Sequence, residues 1–162
     1  MLPEINKILY ATDLSESAKY AFGYAMSLAN RYGAKITILH VLHLSPTSYS
    51  LVTGIIGEKE WDELRQSKEQ GVLDGIKDRI KNFCAEANAE VPSCSFITDK
   101  IIVKTGNPAE EILRQADAGD YDLVVMGARG HGIITDVMVG STSRRVVKRC
   151  KKPVLVIRLS EE

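Results

Sequence analysis

Residues 5–43 read INKILYATDLSESAKYAFGYAMSLANRYGAKITILHVLH, and the order of elements within them decides the architecture. Ile5 to Thr12 is a short apolar run, the mark of a buried strand. Asp13, Ser15 and Ser17 then offer helix N-caps, because their side-chain oxygens can accept from the first free N–H groups of a helix. The apolar positions that follow, Ala18, Ala21, Phe22, Ala25, Leu28, Ala29 and Tyr32, recur at spacings of three and four and predict one buried helical stripe. Gly33 comes next as a residue able to take the left-handed conformation that stops a helix. AKITILHVLH is then apolar almost without interruption, as expected of a strand buried on both faces. Strand, helix and doubly buried strand make a βαβ unit with parallel strands.

Beyond this unit, residues 44–57 (LSPTSYSLVTGIIG) are rich in Ser, Thr, Gly and Pro and are expected to form a loop. A long helix is predicted from Glu58 to Ala87, with Trp61, Leu64, Val72, Ile76, Ile80, Phe83 and Cys84 on its apolar side and Gly71 and Gly75 weakening it. SFITDKIIVKTG contains a third strand. Its end is followed by Gly106, by Asn107 as N-cap, by Pro108 at the first helical position, and by Glu110 and Glu111 in the first turn. That helix runs to about Ala118. YDLVVMG is a fourth strand, Ser141 to Cys150 a further helix, and VLVIRL, after Lys152-Pro153, a fifth strand. The alternation predicts an α/β fold: a five-stranded parallel open sheet, doubly wound, with helices on both faces. No internal repeat or linker divides the chain, so residues 1–162 are expected to form a single domain.

Composition narrows the function classes. At 162 residues and 17.9 kDa the chain can bury a sizeable core without disulfide or metal. Lys plus Arg and Asp plus Glu both total 21, which leaves no basic excess of the kind nucleic-acid binding needs. Cys84, Cys94 and Cys150 are widely spaced with no C-x-x-C pair, so they are expected to be free, buried fillers in a reducing compartment. The opening residues, MLPEINKILYATD, hold no apolar stretch flanked by basic residues, and no run is long enough to span a membrane. A cytoplasmic protein is the expectation.

Chemistry concentrates in residues 126–145, MGARGHGIITDVMVGSTSRR, directly after the fourth strand. Gly127, Gly130 and Gly140 let a backbone approach a ligand closely and turn successive N–H groups toward an anion. Ser141, Thr142 and Ser143 then open a helix whose first N–H groups have no partner, a place where phosphate binds. By residue type alone, ordinary turn glycines and an ordinary cap are the alternative. The second polar loop, Ala11-Thr12-Asp13, leaves the first strand. Both loops share a crevice if the first and fourth strands are neighbours. Neither a Walker A loop nor a G-x-G-x-x-G dinucleotide fingerprint is present.

The glycine spacing, Gly127-x2-Gly130-x9-Gly140-Ser141, resembles the G-x2-G-x9-G-[S/T] signature of the universal stress protein family, in its nucleotide-binding branch. KILYATDLSESA, ILHV, GNPAEEIL, YDLVVMGARG and KKPVLVIR are similar to that family's successive strands and helix starts, so the resemblance covers the whole chain. It implies a Rossmann-like sheet of strand order 3-2-1-4-5 and a site for ATP or AMP. In that site Val41 meets adenine through its backbone, and Asp13 with Thr12 faces the ribose or a metal-bridged group. Gly127, Arg129 and Gly130 lie along ribose and α-phosphate, and His131 stands at the γ-phosphate contact. Gly140, Ser141, Thr142 and Ser143 hold the outer phosphates. Ala11 and Met126 complete the implied site, Met126 more as core than by side-chain contact. A Mg2+ or Mn2+ ion bound through the phosphates, and a homodimer through Val154 to Ile157, are also implied.

Other residues carry less. His40 and His43 have no third ligand nearby and read as strand-end polar residues rather than a metal pair. The basic run from Arg144 to Lys152 reads as a solvated helix face. No Ser-His-Asp constellation is legible, and KTGNPAE offers no phosphoacceptor aspartate for a receiver domain. Two functions follow: a stress-response regulator that binds an adenine nucleotide and changes partners, or a slow ATP hydrolase or nucleotidyl-transfer enzyme using Asp13 with a metal and, separately, Arg129. Donors for charge are present but no group that would orient a water, so binding leads.

Overall fold

In the computed structural model, which describes residues 1–86, 94–128 and 139–159, the first βαβ unit forms as its sequence pattern requires. Strand β1 (Lys7–Thr12) runs into helix α1 (Glu16–Tyr32) and back into strand β2 (Lys35–His43). Ser15 is the N-cap, accepting from Ala18 N–H at 3.2 Å. Gly33 ends α1 at φ 69°, a conformation that only glycine adopts without strain. The remaining elements are α2 (Pro46–Ile56), α3 (Glu58–Glu86), α4 (Cys94–Ile97), β3 (Thr98–Gly106), α5 (Pro108–Ala118), β4 (Leu123–Gly127), α6 (Ser141–Arg149) and β5 (Val154–Ile157).

All five strands are parallel, in the order β3-β2-β1-β4-β5. Side chains alternate along each strand and divide the core in two. Ile8, Tyr10, Ile36, Ile38 and Val125 pack against α1, α3 and α4. Leu9, Ala11, Leu39, Val124 and Met126 pack against α5 and α6. Tyr10 belongs to the first layer, where its hydroxyl donates to the Ala18 carbonyl at 2.5 Å. Burial holds its phenol well above the ordinary range, against an opposing pull from Thr12 and with a smaller push from the charge of Asp13, so it stays protonated as that bond requires.

Four expectations need correction. Residues 46–56 are helical rather than looped: Ser45 caps α2, Pro46 sits in its first turn and Gly57 ends it at φ 88°. The Ser-Pro start signal outweighs the loop-like composition. None of α2 is buried, and Leu51 and Ile55 stand 62% and 80% exposed. The apolar stripe of α3 holds from Val72 onward, but Leu64 is 55% exposed and Trp61 stacks edge-on to Tyr49 of α2. In α1, Met26 joins the buried stripe, and Tyr32, the last residue of the helix before Gly33, is exposed where the helix end runs past the core. Lastly, Cys84 and Cys94 form a disulfide across a Cα separation of 5.5 Å, tying the end of α3 to α4, while Cys150 is free and half-buried.

Candidate functional site

Strand order reverses at β1, which lies between β2 and β4. The chain leaves β1 for the layer holding α1 and leaves β4 for the layer holding α6, so a crevice opens at their carboxyl ends. On the β1 side, Thr12 Oγ1 accepts from Leu14 N–H and Asp13 Oδ1 from Ser15 N–H, each at 3.0 Å. These two side-chain turns hold Leu14 at φ 66°, the only positive φ outside glycine among the described residues. Buried His40 fixes the turn from behind. Its Nδ1 lies 2.7 Å from the Thr12 carbonyl and donates to it, which sets the ring tautomer. The pair read from sequence as His40 and His43 therefore has split roles, with His43 at the rim of the cleft.

Across the crevice, β4 ends at Gly127. A Cβ there would stand 2.7 Å from Ser17 Oγ, 3.0 Å from the Ser17 carbonyl carbon and 3.1 Å from Ala18 N. Gly127 thus lets α1 lie directly on the strand end, a packing reason beside any ligand reason. The chain then departs and returns at Gly140, whose N–H donates to the Ala128 carbonyl at 2.7 Å. Ser143, itself buried, donates its hydroxyl to the same carbonyl at 2.8 Å. That hydroxyl fixes the entry to α6, leaving Ser141 and Thr142 as the outward-facing ones.

The start of α6 differs from those of α1, α2 and α5. Ser15, Ser45 and Asn107 each cap their helix through a side-chain oxygen. Gly140 supplies none, and no acidic residue lies in the first turn of α6. The N–H groups of Ser141 to Ser143 have no carbonyl within the helix to bond. They sit at the positive end of the helix dipole and border the cleft.

The cleft measures about 530 Å3, inside the roughly 300–1,000 Å3 range of small-molecule sites. Ala11, Thr12, Asp13, Val41, Met126, Gly127, Gly140, Ser141, Thr142 and Ser143 all line it. Arg129, Gly130 and His131, the other residues read from the sequence, lie outside the described residues. Sequence reasoning missed the far wall: Leu39 of β2, and Asn107, Pro108, Ala109 and Ile112 at the start of α5. The signal was present, since Gly106-Asn107-Pro108 also follows the carboxyl end of a strand. Arg145, read from the sequence within a basic run taken as a solvated helix face, lines the cleft as well. Among the described residues no group of three His, Cys, Asp or Glu side chains could hold a metal ion. No helix among them is long and apolar enough to cross a membrane.

Two ends of the cleft are chemically distinct. Leu39 and Val41 of β2 with Ala109 and Ile112 of α5 form a largely apolar end, bordered by His43 and Asn107. The first N–H groups of α6, which have no partner among the described residues, form a donor end with two hydroxyls and the Arg145 guanidinium. Such a cleft can hold a flat apolar group at one end and an anion at the other.

Known proteins share this fold. A universal stress protein of Bacillus subtilis is 33% identical over 156 residues, covering 94% of this chain and 99% of the relative. A universal stress protein structure from Lactobacillus plantarum superposes with a TM-score of 0.71 at 26% identity, covering 97% of this chain and all of the other. An Arabidopsis thaliana family member with AMP bound shares the fold at a TM-score of 0.54 and 19% identity, covering 96% of this chain and 92% of that one. The model of the universal stress protein family matches residues 4–158, nearly the whole length, and the chain belongs to that family.

Proposed function

We propose that the protein is an adenine-nucleotide-binding regulator that takes ATP or AMP in this cleft and changes partners with occupancy. The observation that carries the reading is the polarity of the cleft: an apolar slot at β2 and α5, and uncapped N–H groups at α6. A base fits the first and phosphates the second. The opposite orientation is disfavoured, because Glu110 and Glu111 already occupy the positive end of the α5 dipole. Strand β2 also continues past its last pairing with β1, Thr12↔His40, so Val41 stands at an open notch in the sheet. There its backbone can meet the edge of a base. The Arabidopsis relative is described with AMP bound, but at 19% identity it contributes the fold alone, and the cleft carries the argument. A Mg2+ or Mn2+ ion would be held through the phosphates with Asp13 alongside. Denaturing the purified protein and identifying the released small molecule tests the reading. An adenine nucleotide near one per chain is expected; its absence, together with no binding on titration, refutes it.

Assembly is part of the proposal. Strand β5 is the sheet edge, paired on one side to β4, and Val154, Leu155 and Val156 are only half-buried there. An apolar edge of this kind is a template for pairing, and a two-fold antiparallel contact with a second copy would cover it. Val156→Pro removes a ladder donor and should yield monomers in sedimentation. A variant that stays dimeric moves the interface elsewhere.

A further inference from the structure

The basic residues around α6 are put to unequal use. Arg149 reaches Glu110 at 2.6 Å and Lys151 reaches Asp117 at 3.4 Å, both tying this region to α5. Arg145 does neither. It lines the cleft, the only lysine or arginine among the described residues to do so, and no carboxylate among them pairs with it. It lies four residues after Ser141, on the same helix face one turn along. Helical side chains lean back toward the N-terminus, so the Arg145 side chain extends over the first turn of α6, where the uncapped N–H groups are. A guanidinium is always charged, and its planar fork matches phosphate oxygens two at a time.

We propose that Arg145 is the residue by which the cleft selects ligands with more than one phosphate, engaging the terminal phosphates of a nucleoside di- or triphosphate. The inference rests on the nucleotide reading above and deepens it. With a base in the apolar slot beside Val41 and a sugar beside Asp13, the first phosphate falls where Gly127 and Ala128 meet Gly140. Only later phosphates extend along α6 to Arg145. A monophosphate then uses the backbone donors and gains little from the guanidinium.

Calorimetric titration of the full chain with ATP and with AMP, for the wild type, Arg145→Ala and Arg145→Lys, tests this. Arg145 is exposed, so both variants should fold, as circular dichroism would verify. Arg145→Ala is expected to weaken ATP by roughly 10-fold or more, as for loss of a charge-assisted hydrogen bond, and AMP by less than about 2-fold. Arg145→Lys should recover part of the ATP affinity but not all, since it restores charge without the fork. Equal losses for both nucleotides, or no loss for either, overturn the selector role while leaving the nucleotide site standing. A wild-type chain that binds neither nucleotide overturns the site and the role together.

Discussion

Replacing Gly127 by alanine tests whether the glycine that opens the loop is there for packing. The added Cβ would meet Ser17 Oγ at 2.7 Å, the Ser17 carbonyl carbon at 3.0 Å and Ala18 N at 3.1 Å. The first contact is cheap to relieve, because Ser17 Oγ is buried without a hydrogen-bond partner and can rotate away. The other two are backbone atoms in the first turn of α1, so the helix itself must retreat by a few tenths of an ångström. That helix carries Ala18, Ala21, Phe22, Ala25 and Met26 into the core, and its retreat loosens each contact. Overpacking of this kind costs about 1–3 kcal/mol. For a chain of this size the melting temperature should fall by roughly 2–10 °C. Urea unfolding followed by circular dichroism measures the loss. Gly23→Ala is the control: this glycine lies mid-helix in α1 with nothing within 4 Å of its missing Cβ, so alanine there should stabilise by about 0.5–1 kcal/mol. If Gly127→Ala costs less than about 0.5 kcal/mol, a typical surface effect, the packing argument fails.

Two further changes probe the frame of the site. Asn107→Ala removes the cap on Glu110 N–H at the far wall of the cleft and should cost about 1 kcal/mol, whereas Asn107→Asp should not; equal melting of the two would deny the cap its role. Reducing the Cys84–Cys94 bond, or replacing both residues by alanine, frees a closure between residues ten apart and should cost about 3 kcal/mol, read as a lower melting temperature in reductant. Identical melting with and without reductant would show that the pairing does not constrain the chain.

How far the sequence disclosed this molecule depended on how local each signal was. The strands and α5 were legible, because an apolar run bounded by Asn107-Pro108, or by Gly33, states its own limits. The α2 helix was not, because its apolar residues Leu51 and Ile55 face outward and leave no amphipathic period tied to the core. Cysteine pairing was equally hidden: ten residues of separation between Cys84 and Cys94 do not show that α3 and α4 meet. In the cleft, the loops after β1 and β4 could be read from their polar chemistry. The apolar wall could not, since Leu39, Ala109 and Ile112 look like any core residues until β2 and α5 are placed side by side. Gly127 was legible as special for an incomplete reason, because the approach of Ser17 to its Cα is a tertiary contact.

If the start of α6 receives phosphate, a carboxylate at its first position should drive ATP out, and Ser141→Glu supplies one. Ser141 is exposed, lines the cleft and occupies the first position of the helix. A carboxylate there favours the helix dipole by about 0.3–1 kcal/mol, so the fold should be unharmed or slightly more stable. The same charge sits where the phosphates are placed and repels them. Calorimetry with ATP should show saturable binding at one site per wild-type chain and a loss of roughly 10-fold or more in the variant, with an undiminished melting temperature. Unchanged ATP affinity in a folded Ser141→Glu chain would mean that phosphate does not bind at the start of α6.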